Sequence, residues 1–168
     1  MQSTRPGAVR RLVLAAGAIL ALLFSGLMAP AAATAATDSE PTAGHGRTLK
    51  VVLVSGAPVF GDPESIDPGN TLLFEETAYA HGRKAGDALT RIQFLEGGSF
   101  LLDCTVRLKN KGNLVFAGGE EVSNIEAKLT FAVTGGTGHF SGTGGHVDIT
   151  PTTHRGEEAA LLTFHLKH

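Results

Sequence analysis

Between residues 99 and 109 the apolar side chains fall on every second position. Phe100, Leu102, Cys104, Val106 and Leu108 alternate with Leu101, Asp103, Thr105 and Arg107. A period of two predicts a strand with one side in a core. The same alternation runs through Ile125, Ala127, Leu129, Phe131 and Val133, and again through Ala160, Leu162, Phe164 and Leu166 near the end of the chain. Residues 48–55 are dense in Val and Leu and predict a further strand. Shorter runs at 71–79, 87–95, 114–118 and 145–150 bring the expected number of strands to eight. Most are separated by short turns, such as Ala80 to Arg83 and Asn110 to Asn113, so neighbouring strands must run antiparallel. Residues 56–70 hold three prolines and three glycines and predict a long loop, a candidate rim or lid. No helical periodicity competes beyond residue 36. Eight antiparallel strands with one apolar face each predict an all-β fold, an eight-stranded up-and-down barrel whose closure removes the edge strands. A sandwich with a separate small cavity is the other architecture that fits.

One stretch departs from simple alternation. Residues 132–147 contain six glycines, with β-leaning runs on both sides. Glycine allows positive φ and close backbone approach, so the stretch predicts a strand end, a sharp corner and a kinked return strand. Gly135, Gly136, Gly138 and Gly142 are its structural core.

The first 36 residues follow a different pattern. Arg5, Arg10 and Arg11 precede an almost wholly apolar run at 12–28, and alanines at 31–36 offer small-residue cleavage sites. That is the pattern of a secretory signal peptide, and the absence of following basic residues disfavours a retained anchor. The paired Arg10 and Arg11 leave both the general secretory and the twin-arginine route open. Residues 37–46 read as a flexible leader and 47–168 as the barrel domain. Export removes three basic residues and no acid, which leaves eleven basic residues against sixteen acidic ones, a formal charge of −5. A mildly acidic domain without a basic stripe argues against nucleic acid, and no membrane association is expected after cleavage. Cys104 is the only cysteine, so no intrachain disulfide can staple the fold.

The glycine stretch also carries a resemblance. An apolar residue followed by Val133, Thr134, Gly135, Gly136, Thr137 and Gly138, then Phe140 and Gly142, resembles the signature hairpin of the allene oxide cyclase and dirigent barrel superfamily. Gly112 to Gly118 resembles the strand that precedes that hairpin, and Leu162 to Lys167 the closing strand of the plant cyclases. Gly69, Phe74, Tyr79 and Gly86 fall where the family has the same residues. The resemblance implies an eight-stranded barrel with an apolar cavity, often trimeric. Its known members close a fatty-acid epoxide to a cyclopentenone or steer phenoxy radical coupling. Their catalytic sets are not retained. The cyclase Glu and Asn of the first strand fall on an aliphatic residue and Ser55, the cyclase Cys falls near Gln93, and the dirigent Arg falls on Gly144.

Candidate chemistry is correspondingly sparse. Glu76 shares parity with Leu72 and Phe74, which predicts a carboxylate pointing into the barrel. Such a group would carry a raised pKa, or need a cation such as Arg91 beside it. Glu76, Gln93 and Arg91 are therefore the candidate catalytic residues. Phe74, Leu102, Leu129, Phe131, Leu162 and Phe164 are the candidate ligand-binding residues. Asp103 and Arg107 share the outward face of their strand and read as exterior. Cys104 reads as a buried, inert thiol. His139, His146, His154, His165 and His168 show no tight ligand spacing and read as surface residues, so no metal and no cofactor is expected. The expected function is a secreted protein that binds a small apolar or phenolic molecule in its cavity. The alternative is a cyclase or isomerase, or a dirigent-type stereo-directing protein, working through Glu76 and nearby polar groups. A third reading is a homotrimeric scaffold whose barrel is packed solid.

Overall fold

The computed structural model describes residues 46–167. The signal peptide read at 1–36, most of the leader at 37–46 and His168 lie outside the described residues. Eight strands run in chain order: β1 (Arg47–Ser55), β2 (Thr71–Ala80), β3 (Arg83–Phe94), β4 (Ser99–Leu108), β5 (Gly112–Glu121), β6 (Leu129–Gly136), β7 (Gly144–His154) and β8 (Glu157–Lys167). Each pairs antiparallel with its sequence neighbours, and β1 pairs with β8, so the sheet closes as an up-and-down barrel. The sandwich alternative is excluded by that closure.

The alternation read from sequence sorts inside from outside. Phe100, Leu102, Cys104, Val106 and Leu108 of β4 are all buried, while Leu101 and Arg107 are exposed. Phe74, Leu129 and Phe164 share one core cluster with residues of every strand. Short bulges between Ala78 and Tyr79 and between Val115 and Phe116 interrupt the ladders and help the sheet curl.

Several element boundaries differ from expectation, each for a local reason. The sixth strand begins at Leu129 rather than Ile125. Ile125 instead ends a single 3-10 turn, Val122–Asn124, and is buried there at the barrel end, so its apolar character serves a plug rather than a ladder. The seventh strand runs past Thr150 to His154, through Pro151. Its pairing with β6 ends at Ile149, so a residue without an N–H is tolerated beyond that point. The third strand starts at Arg83, because Gly86 lets the chain pass closely under the Arg107 carbonyl.

The two ends of the barrel are built differently. At one end, β6 leads into a 3-10 turn, Gly138–Phe140, whose Phe140 is buried in the core beneath the Arg47 guanidinium. A Cβ on Gly145, which sits at φ 125°, would lie 2.0 Å from the His165 carbonyl oxygen, and one on Gly136 would lie 2.6 Å from Phe140. Gly138 and Gly142 take left-handed φ values of 62° and 73°. Gly135 differs from its three companions: its φ is ordinary, and a Cβ there would meet nothing within 4 Å. At the other end lies the 56–70 loop. There β1 stops opposite Glu76, and the loop supplies the next neighbour of β2: Val59 N–H donates to the Leu73 carbonyl at 2.8 Å and Leu73 N–H to the Phe60 carbonyl at 3.1 Å.

Candidate functional site

Glu76 lies inside the barrel, as its parity with Phe74 predicts, and it is 8% exposed. It faces neighbours brought in by strand pairing. Ser55 sits directly across from it on β1, and Thr90 projects from β3 beside it. The Ser55 hydroxyl donates to Glu76 Oε1 and the Thr90 hydroxyl to Oε2. Thr90 Oγ1 also lies 3.2 Å from Cys104 Sγ, directly across the β3–β4 ladder. These four side chains form one polar chain through a largely apolar interior.

Burial pushes the Glu76 carboxyl above its ordinary range, and the Ser55 and Thr90 hydrogen bonds offset part of that rise. Burial also pushes the Cys104 thiol up, reinforced by the nearby Glu76 charge, so the thiol stays protonated and is no nucleophile. Thr90 has a single hydroxyl proton, which allows two arrangements. With Glu76 ionised, Thr90 donates to the carboxylate and its oxygen can accept the thiol proton. With Glu76 protonated, its O–H can donate to Thr90, whose own proton then turns to the Cys104 sulfur. Every oxygen of this chain keeps a partner in both states, and only the weak Cys104 S–H donor gives up its acceptor when Glu76 holds the proton.

Beside this chain lies a cavity of about 30 Å³. Leu53, Ser55, Glu76, Thr90, Ile92, Leu102, Phe116, Ile149, Ala160 and Leu162 line it, so seven of the eight strands contribute. It is apolar apart from Ser55, Glu76 and Thr90, and it is large enough for a water or two.

The structure divides the sequence-derived candidates. Leu102 and Leu162 line the cavity. Phe74, Leu129, Phe131 and Phe164 do not; they pack the core around it, with Phe164 edge-on to Phe116 at 5.9 Å and Phe131 stacked on Phe116 at 6.4 Å. Arg91 and Gln93 must be separated from Glu76. Both alternate with the inward Thr90 and Ile92 and so stand on the outer wall, where Arg91 pairs with Asp103 at 2.6 Å. Asp103 and Arg107 are exterior, as expected, with Arg107 paired to Asp87. Thr90 is the site residue that sequence reasoning missed. Its signal was the lone hydroxyl in the inward series Ala88, Thr90, Ile92, Phe94.

The histidines also rearrange. His146 and His165, far apart in sequence, are direct partners across β7 and β8, and Asp148 lies two residues along on the same face. His139 is exposed, and His154 packs against Tyr79 with ring centroids 4.2 Å apart.

No protein-family model matches the chain, and no curated protein matches it. Solved structures do share its fold. A structure titled "Pyocyanin demethylase" superposes at TM-score 0.58 and 18% identity, over 72% of this chain and 100% of that one. The Diels Alderase AbmU from Streptomyces koyangensis superposes at TM-score 0.57 and 14% identity, over 73% of this chain. The chain spans 64% of the length of AbmU. A pterocarpan synthase dirigent protein aligns at TM-score 0.49 and 12% identity, over 72% of this chain and 81% of that one. The chain thus shares the barrel fold of the demethylase and Diels Alderase structures.

Proposed function

We propose that this protein binds a small, largely apolar molecule in the half of the barrel that contains Glu76, with the Glu76 carboxyl as its polar anchor. The observation that carries this reading is a buried carboxyl beside an apolar cavity, held by two hydroxyls rather than by a cation among the described residues. Desolvating a carboxyl lowers stability unless something offsets it, and raised carboxyl pKa values concentrate where a proton is held for use. A protonated Glu76 donates one hydrogen bond to a carbonyl, ether or phenolic oxygen, while Leu53, Leu102, Phe116 and Leu162 receive the apolar part. The same donor would polarise a carbonyl or epoxide oxygen, which is the chemistry of the cyclase or isomerase alternative. Fold neighbours named as a demethylase and a Diels Alderase support small-molecule chemistry in such barrels. Export through the N-terminal segment and assembly as a homotrimer belong to this reading as the sequence suggests them.

One observation favours a second reading. Ligand pockets commonly measure ~300–1,000 Å³, and the cavity of about 30 Å³ falls well short. A ligand therefore has to displace Phe116 or Leu162 or lift the 56–70 loop. If none of these moves, the protein is a packed scaffold.

Titration with an uncharged naphthalene fluorophore, followed by displacement with fatty acids and phenols, separates the two. The binding reading expects saturable uptake, displacement by phenols, and at least tenfold weaker phenol binding in Glu76→Gln. Absence of saturable uptake would leave the packed scaffold. Uptake unaffected by Glu76→Gln would remove the carboxyl as the anchor.

A further inference from the structure

The outer wall of the barrel carries a cluster unrelated to the Glu76 cavity. His146 on β7 and His165 on β8 are cross-strand partners, with rings stacked 4.6 Å apart at 18°. Asp148 follows two residues after His146, so alternation places it on the same outward face. The donor atoms of the three side chains all lie within 4.8 Å of one another. His165 Nε2 is 3.5 Å from Asp148 Oδ2. We propose that His146, Asp148 and His165 form a binding site for a borderline divalent transition ion such as zinc, nickel or copper.

The donor set fits that ion class. Two imidazoles and one carboxylate suit zinc, nickel and copper, and are too nitrogen-rich for calcium or magnesium. A tetrahedral ion about 2.1 Å from each donor holds the donors roughly 3.4 Å apart. The widest pair must therefore close by about 1.4 Å. Turning each imidazole about χ2 supplies that closure and opens the ring stack. Closely spaced cross-strand positions allow it without moving the backbone.

The surroundings are those of a supported ligand. The Thr130 hydroxyl, directly across from Asp148 on β6, donates to Asp148 Oδ1 at 2.7 Å. That bond fixes the carboxylate and aims Oδ2 toward the histidines, as outer-shell partners of ligating carboxylates do. Asp148 is 17% exposed, whereas the imidazole of His165 is 41% exposed, so the site has a fixed floor and accessible walls. Lys128 Nζ lies 2.9 Å from the same Oδ2. Its ammonium takes the position of the cation, and an incoming ion must displace it. Three protein donors leave the remaining coordination positions to water or an outside ligand.

The test is zinc titration of the full chain, without a polyhistidine tag, against a chromophoric chelator. The proposal expects one zinc per chain in this site. His146→Ala, His165→Ala and Asp148→Asn each weaken binding at least tenfold, and His139→Ala leaves it unchanged. Lys128→Met tightens binding severalfold, because it removes the competing ammonium. Circular-dichroism melts confirm that each variant keeps the barrel. With copper in place of zinc, electron paramagnetic resonance should show coupling to two imidazole nitrogens, reduced to one in either histidine variant. Zinc uptake equal to that of a His146→Ala/His165→Ala double variant would overturn the proposal. So would tightening that is absent in Lys128→Met, or a copper spectrum without two coupled nitrogens.

Discussion

The glycine corner and the interior around Glu76 are built by opposite means. At the glycine corner, backbone meets backbone: Gly136, Gly138 and Gly145 admit carbonyls where a Cβ would collide, and Phe140 fills the lumen. Around Glu76, side chains meet side chains. Ser55, Glu76, Thr90 and Cys104 satisfy one another in the interior, beside a small lined cavity. At Gly136, Gly138 and Gly145 the corner tolerates almost no change, because backbone atoms cannot be repacked. The interior around Glu76 holds spare volume and a proton whose position can change. Rigidity and chemistry are thus segregated along one axis.

Substitutions can test that contrast, beginning with the most damaging. Gly145→Ala should destabilise the barrel by about 3 kcal/mol or more, since both its φ of 125° and the His165 carbonyl oppose a side chain. Gly135→Ala, which meets nothing within 4 Å, should stay within about 1 kcal/mol of the parent in urea unfolding. Equal losses in the two variants would show that the corner is not held by backbone proximity. Leu162→Ala comes next, at about 2–5 kcal/mol. It enlarges the cavity, so fluorophore uptake should rise even as the melting temperature falls. A lower melting point with unchanged uptake would mean that the lumen collapses around the loss.

Smaller again is the effect of Glu76→Gln, and its sign depends on pH. The folded-state pKa of Glu76 lies above its unfolded value, so the folded protein resists ionisation more than the unfolded chain does. Its contribution is therefore fully present below the unfolded pKa, and is lost as pH rises through the folded one. The melting temperature of the parent should fall relative to Glu76→Gln as pH rises above about 4.5. Parallel melting curves across that range would show that Glu76 is solvated rather than buried. Least of all, Arg91→Ala removes a pair whose side chains are 57% and 45% exposed, and should change stability by less than about 1 kcal/mol. It should not alter ligand uptake. A tenfold change in uptake would restore Arg91 to the Glu76 site.

The contrast also explains which features are legible in the chain itself. The corner announces itself, because only glycine satisfies the close approaches at Gly136, Gly138 and Gly145, and six glycines cluster in residues 132–147. The inward direction of Glu76 is legible from parity alone. So is that of Thr90, which is in phase with Ala88, Ile92 and Phe94, whereas Arg91 one position on faces the other way. What spacing does not specify is strand register, which decides that Thr90 and Ser55 meet Glu76. The same blindness hides His146 and His165, whose separation along the chain says nothing about a shared rung of β7 and β8. Ile125 misleads in the other direction, since an apolar residue in phase with a strand can still belong to a turn that plugs the barrel.

The pairing of β1 with β8 has a topographical consequence. Arg47 stands opposite Leu166, so β1 begins and β8 finishes next to the glycine corner. A tether, carrier domain or immobilising tag joined beside Arg47 or Lys167 grips that corner and turns the end with the 56–70 loop outward.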